Sequence, residues 1–134
     1  MSKIESLEQL RALYPAAKGL AVDKQLTRLD PHCRRFIALS PFTVLATKGR
    51  DGLVDISPRG GDPGFVLVAD DETLLLPDWP GNNRLDNPEN ILADPAISLI
   101  FLIPGVDETL RVHGVAEIRT DDALTQQFAI GAKL

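Results

Sequence analysis

The spacing of apolar residues changes at Pro41, and this change is the feature that most constrains the fold. Before Pro41, apolar residues recur at helical spacing, and after it they alternate with polar residues or form short runs rich in β-branched side chains. Turns rich in glycine, proline and aspartate separate successive runs. The pattern predicts a helical N-terminal segment over residues 1–40, a barrel over 41–120 and a terminal helix over 121–134.

Six strands are predicted after Pro41, covering residues 42–47, 53–56, 65–69, 73–76, 96–103 and 109–119. Each is joined to the next by a short turn or one small helix, which favours antiparallel pairing. We therefore predict a mainly β protein, a six-stranded antiparallel sheet closed or nearly closed into a small barrel with helices outside. The apolar run 96–103 is typical of a central strand buried on both faces, or of a strand at a subunit interface.

Helix starts are marked by capping residues. Ser6-Leu7-Glu8-Gln9 fits a capping box for a helix within 2–14, and Asp30-Pro31 supplies an N-cap and a first-turn proline for a helix ending near residue 39. Residues 16–29 can form a further helix between them.

A helix is also predicted after residue 83, and its start is open. It either begins near Arg84 and is kinked by Pro88, or is capped by Asn87 with Pro88 in its first position. In both cases Ile91 and Leu92 are expected to face the sheet.

Composition narrows the function classes. A chain of 134 residues predicts one domain, and a net charge of −5 disfavours nucleic acid, whose phosphates require a basic face. Cys33 is the sole cysteine, so no disulfide can form within the chain, and His32 and His113 lie too far apart in sequence to indicate a metal site. The sequence contains no signal-peptide pattern and no apolar run of ~20 residues, so a cytoplasmic protein without a membrane partner is expected.

Two segments could bind an anion. After the predicted strand 73–76, Pro77 ends the ladder, and a glycine and asparagine turn with Arg84 leads into a helix, where N–H groups and the helix dipole favour negative charge. The other segment is Ser57-Pro58-Arg59-Gly60, predicted to leave the sheet as a loop, with the planar guanidinium of Arg59 suited to phosphate. An ordinary strand-to-helix turn and a solvated arginine remain the alternative interpretations.

These segments resemble the flavin-binding split-barrel proteins related to pyridoxamine 5′-phosphate oxidase, and most closely an uncharacterised bacterial FMN-dependent subgroup. The resemblance covers roughly residues 30–120. It rests on Asp55–Gly60, Leu74–Asp78, Pro80–Asp86, Asn90–Leu92 and Phe101–Val112.

The resemblance implies a homodimer with two FMN sites at its interface. It implies that Arg84, with Asn83 or Asn82, holds the FMN phosphate. It also implies that Arg59 and Ser57 lie beside the phosphate or the ribityl chain, and that the remaining site residues run along the isoalloxazine edge. The implied cofactor-binding residues are Ser57, Arg59, Leu76, Pro77, Asp78, Asn82, Asn83 and Arg84.

The function expected from the resemblance is that of an FMN-dependent oxidoreductase acting on a small-molecule substrate, with NAD(P)H as a candidate electron donor. A non-catalytic flavin- or ligand-binding barrel, a cofactor-free dimeric scaffold and a deazaflavin-dependent reductase are the alternatives. No catalytic acid or base stands out in the sequence. Family members usually continue past this point with residues that complete the barrel, so the barrel is expected to be incomplete at its C-terminus.

Overall fold

The computed structural model describes residues 3–14, 26–78 and 86–128. Its helices are α1 (Leu7–Leu13), α2 (Pro31–Leu39), α3 (Asp86–Ala93) and α4 (Asp122–Thr125). Its strands are β1 (Phe42–Lys48), β2 (Val54–Gly60), β3 (Leu67–Asp70), β4 (Thr73–Leu75), β5 (Ala96–Leu102) and β6 (Thr109–Val115). The helix predicted over 16–29 and the end of the predicted terminal helix fall largely or wholly outside these ranges.

The strands within the described residues form two antiparallel sheets. Four of them make a sheet of order β2-β1-β5-β6, and β3 pairs with β4 in a separate hairpin. The prediction of a mainly β fold with six antiparallel strands and flanking helices is confirmed, and the two sheets form a split barrel that is not closed. Pro58 lies in the edge strand β2, and its missing N–H is compatible with an edge that no further strand extends.

The segment Ser57–Gly60 is part of β2, not the loop that we predicted. It pairs with β1 in continuous register, with Phe42 opposite Gly60 and Lys48 opposite Val54. Proline and glycine usually break strands, but a sheet edge tolerates both. Arg59 is therefore held on a strand, with a defined inward direction.

The helix caps follow the sequence closely. The Ser6 hydroxyl accepts from the Gln9 N–H at 3.1 Å, and the Asp30 carboxylate accepts from the Cys33 N–H at 2.8 Å. The Cys33 backbone bond holds the pKa of Asp30 below its usual value, because it stabilises the charged form. The apolar side chains of α1 nevertheless remain exposed.

In α3, Pro88 lies in the first turn, where a missing N–H costs no helical bond. Asn87 is inside the helix, not its cap. Ile91 is half-buried as predicted, but Leu92 is 77% exposed, so the prediction was wrong for Leu92. Adjacent helical residues point about 100° apart, and only one of the two can face the sheet.

The other strand bounds match the prediction within about two residues, except that β6 ends at Val115 and not at residue 119. The Ala116 N–H donates to the Pro95 carbonyl at 2.8 Å, which continues the pairing of β5 with β6 by one residue beyond Val115. Residues 117–119 follow, and they line the site described below together with the residues at the end of β4.

The core lies between one face of the four-stranded sheet, α2 and the β3–β4 hairpin. Its buried members are Phe36, Ile37, Leu45, Phe65, Val66, Leu99 and Phe101. Among the described residues, no helix is long and apolar enough to cross a bilayer.

Candidate cofactor site

Strand β2 has its polar side chains inside and its apolar side chains outside. Asp55, Ser57 and Arg59 are half-buried on the core side of the sheet, whereas Val54 and Ile56 are exposed. Strands on a one-sided sheet normally show the opposite arrangement. The inward polar residues therefore need partners beneath the sheet, and these partners build the site.

Arg59 has two such partners. Its Nη1 donates to Asp78 Oδ1 at 3.0 Å, and its Nη2 donates to Asn87 Oδ1 at 3.3 Å. The side chains of Arg59 and Asp78 are 21% and 28% exposed, so the ion pair is partly shielded from water. Charge-assisted bonds of this kind are stronger than neutral ones.

A second layer of hydrogen bonds lies behind Arg59. The Thr47 hydroxyl, on β1, accepts from the side-chain amides of Asn87 at 2.7 Å and of Asn90 at 3.0 Å. Asn90 also donates to Asp55 at 2.6 Å. This network joins α3 to β1 and β2, and because Thr47 and Asn87 are buried, it fixes the direction from which Asn87 meets Arg59.

The guanidinium faces a pocket of about 140 Å³. Its polar end is formed by Arg59, Asp78 and Asn87. The apolar wall is formed by Leu45, Leu74, Leu76, Pro77, Pro88 and Ile91. Ligand pockets usually measure roughly 300–1,000 Å³, so the described residues of one chain enclose only part of a cofactor-sized site.

The far rim of the pocket is formed by Glu117, Ile118 and Arg119. Arg119 pairs with Glu117 at 3.2 Å and with Asp121 at 3.0 Å. Every titratable side chain among the described lining residues is therefore engaged in an ion pair.

The family model described as pyridoxamine 5′-phosphate oxidase matches residues 29–134, which is most of the chain. This chain belongs to the pyridoxamine 5′-phosphate oxidase family. Proteins of this fold family commonly bind flavin or haem and are often dimers.

Two solved structures share the family fold with this chain. HupZ from Group A Streptococcus superposes with a TM-score of 0.59 at 20% identity, covering 73% of this chain and 75% of HupZ. A histidine-to-alanine variant of HupZ gives 0.60 at 19% identity, covering 74% and 80%. At these identities the likeness concerns the fold alone. No curated protein matches the chain.

Within this member of the pyridoxamine 5′-phosphate oxidase family, four of the predicted site residues meet in the pocket. They are Arg59, Leu76, Pro77 and Asp78. Ser57 lies on the same inward face of β2 but not among the lining residues. Asn82, Asn83 and Arg84 lie outside the described residues, so their contact with the phosphate stays a prediction.

The sequence analysis missed the residues that hold Arg59 in place. Asn87 and Asn90 lie three residues apart on α3, a spacing that places two side-chain amides on one helix face. This spacing is the sequence feature that could have predicted their shared contact with the sheet. Thr47 carried no signal beyond β-propensity. The rim residues 117–119 were predicted to continue a strand, with Glu117 solvated or paired, and that position did not indicate a ligand site.

Cys33 lies away from this pocket, buried in α2, and burial raises the pKa of its thiol. A thiol with a raised pKa forms less of the nucleophilic thiolate, and a buried cysteine of this kind acts as a packing residue.

Proposed function

We propose that this chain is an FMN-dependent oxidoreductase of the pyridoxamine 5′-phosphate oxidase-like class, working as a homodimer with the flavin at the subunit interface. One observation supports this proposal most directly. A directed, half-buried guanidinium, Arg59, stands at one end of a pocket whose wall is mainly apolar. An anionic group can bind this guanidinium when it displaces Asp78, while an apolar ring packs on the wall.

FMN has this distribution of charge, since a phosphate at the end of a ribityl chain is joined to a flat ring. The Arg59 guanidinium can donate to phosphate oxygens in its planar fork. The side chains of Leu74, Leu76, Pro77 and Ile91 offer the apolar wall that a ring needs, with few polar contacts. The residues present therefore fit the group.

In this proposal the chain's own residues bind and orient. Arg59 holds the phosphate end, with Asn82, Asn83 and Arg84 as its expected companions and Ser57 near the ribityl chain. Leu76 and Pro77 exclude water from the ring edge, and Asp78 lies at the phosphate end beside Arg59. When bound, flavin supplies hydride or electron transfer, which the side chains described here do not provide.

The homodimer is supported by two features. The pocket enclosed by the described residues of one chain is smaller than a whole cofactor requires, and a second subunit at this edge would enlarge it. The outward positions of β2 are apolar and exposed, with Ile56 at 73%, and such a surface is typical of one that a partner covers.

A second candidate is flavin binding without turnover. The observation favouring it is that the titratable side chains of the described lining, Arg59, Asp78, Glu117 and Arg119, are all engaged in ion pairs. Bleaching of the bound flavin by NAD(P)H separates the two candidates, because only an oxidoreductase with a pyridine nucleotide donor is reduced rapidly.

The test is FMN affinity in a pair of arginine variants. Arg59→Gln should weaken FMN binding about 10- to 100-fold, the equivalent of one charge-assisted contact of ~1.5–3 kcal/mol. Arg35→Gln is the control, because Arg35 is exposed on α2 outside the pocket. Fluorescence quenching of FMN gives the affinity, and thermal melting shows whether each variant is folded.

Unchanged FMN affinity in folded Arg59→Gln would remove Arg59 from the site. A colourless protein that takes up no added FMN would refute the proposed cofactor.

A further inference from the structure

The guanidinium in the pocket already has a negative partner. Asp78 Oδ1 lies 3.0 Å from Arg59 Nη1, and both side chains are mostly shielded from solvent. Opposite charges at this distance attract more strongly when water is partly excluded. The pair leaves the polar end of the pocket nearly neutral in the absence of a ligand.

An incoming phosphate therefore competes with Asp78. Placed on the same guanidinium, a phosphate would stand within a few ångströms of the Asp78 carboxylate, and like charges within about 4–6 Å disfavour one another. An anionic ligand that binds Nη1 displaces this carboxylate from Arg59. A neutral ligand in the apolar part of the pocket has no such requirement.

The second partner of Arg59 behaves differently. Asn87 is neutral, buried, and anchored through its amide to Thr47 at 2.7 Å. Its oxygen accepts from Arg59 Nη2 at 3.3 Å and does not compete with an anion for Nη1. When the Arg59–Asp78 pair opens, this contact keeps the guanidinium in the pocket.

We propose that Asp78 determines how strongly this pocket prefers phosphorylated ligands to unphosphorylated ones. Asp78 is the counter-ion of Arg59 when no ligand is bound, and a phosphate displaces Asp78. Asn87 is the positioning residue that holds Arg59 during the exchange. The choice of FMN as ligand rests on the proposed function. The competition itself rests on the ion pair.

The experiment compares FMN with riboflavin, which lacks the phosphate, in Asp78→Asn and wild-type protein freed of cofactor. Asparagine keeps the shape of Asp78 and removes its charge. We expect Asp78→Asn to bind FMN about tenfold more tightly, by release of one charge-assisted contact, with riboflavin affinity changed by less than about twofold.

Asp107→Asn is the matched control. Asp107 is exposed in the β5–β6 turn, and its substitution changes the net charge by the same amount. Both affinities should stay within about twofold of wild type in this variant, a change of less than ~0.5 kcal/mol. If Asp78→Asn does not fold, as judged by circular dichroism, Asp78→Ser takes its place.

Tighter binding of FMN by Asp78→Asn, with the riboflavin affinity unchanged, supports the proposal. An equal change for both flavins, or weaker FMN binding in the folded variant, overturns it. If wild-type protein binds neither flavin, the proposed function fails, and inorganic phosphate then decides the role of Asp78. Phosphate should raise the melting temperature more in Asp78→Asn than in wild type, and an equal rise would overturn the proposal.

Discussion

At the scale of single residues, the side chain of Thr47 stabilises the contact between two elements although it is small. Its buried hydroxyl accepts from two amides of α3 and so ties that helix to β1. Buried amide groups that lose their acceptor pay the full cost of desolvation. The Thr47 hydroxyl is therefore one of the contacts that hold α3 beside the pocket, together with Asp55 and Arg59.

Thr47→Val tests this dependence, because valine keeps the shape and removes the oxygen. We expect a loss of ~1–3 kcal/mol in the free energy of unfolding, since the Asn87 and Asn90 amides lose an acceptor. Denaturant unfolding measures it. Thr109→Val, at an exposed position of β6, should stay within about 0.5 kcal/mol of wild type. Equal losses in the two variants would show that the hydroxyl of Thr47 does not matter.

At the scale of elements, the loop between β2 and β3 is packed tightly against the end of α2. Gly64 has a φ of +80° and its N–H donates to the Ser40 carbonyl at 3.1 Å. A Cβ at Gly64 would lie 2.9 Å from the Ala38 carbonyl oxygen. Gly105, in the β5–β6 turn, has a φ of +83° but open space around it.

This pair separates conformational strain from steric overlap. Gly105→Ala should cost about 1–2 kcal/mol for the left-handed conformation alone. Gly64→Ala should cost a further ~1–3 kcal/mol, because the Ala38 carbonyl belongs to the backbone and cannot move freely. Free energies of unfolding from denaturant titration give both values. If the two variants lose the same stability, the contact between the loop and α2 is loose.

At the scale of the whole molecule, the two faces of the four-stranded sheet differ in what covers them. The inner face is covered by α2, α3 and the β3–β4 hairpin. On the outer face, residues of three strands lie side by side in register. They are Val44, Ala46, Ile56, Pro58 and Ile100. This outer face is where the proposed second subunit would pack.

Ile56→Glu should therefore shift the protein from dimer to monomer while its fold is retained, because a buried unpaired charge is costly at an interface. Leu92→Glu is the control, since Leu92 is as exposed as Ile56 but lies on α3. Light scattering measures the mass in solution. A dimer that survives Ile56→Glu unchanged would place the subunit contact on another surface.

The local elements were predictable because their causes are local. Asp30-Pro31 caps α2, Ser6 caps α1, and β1 and β5 lie within a residue or two of the predicted bounds. Caps depend on three or four successive residues, and strands depend on alternation and β-branching. The family was also recognisable from short runs of residues, since the matched model spans residues 29–134.

The site depended on contacts that no local pattern encodes. Arg59 belongs to a strand because β1 pairs with it, despite Pro58, and its partners Asp78 and Asn87 lie 19 and 28 residues along the chain. By itself the sequence determined the helix caps, the number of strands and the kind of residue available to bind an anion. Only the tertiary structure decided that the sheet stays open and that Asp78 forms an ion pair with Arg59. The physical reason is that strand pairing at a sheet edge and ion pairing in a pocket both depend on distances in space.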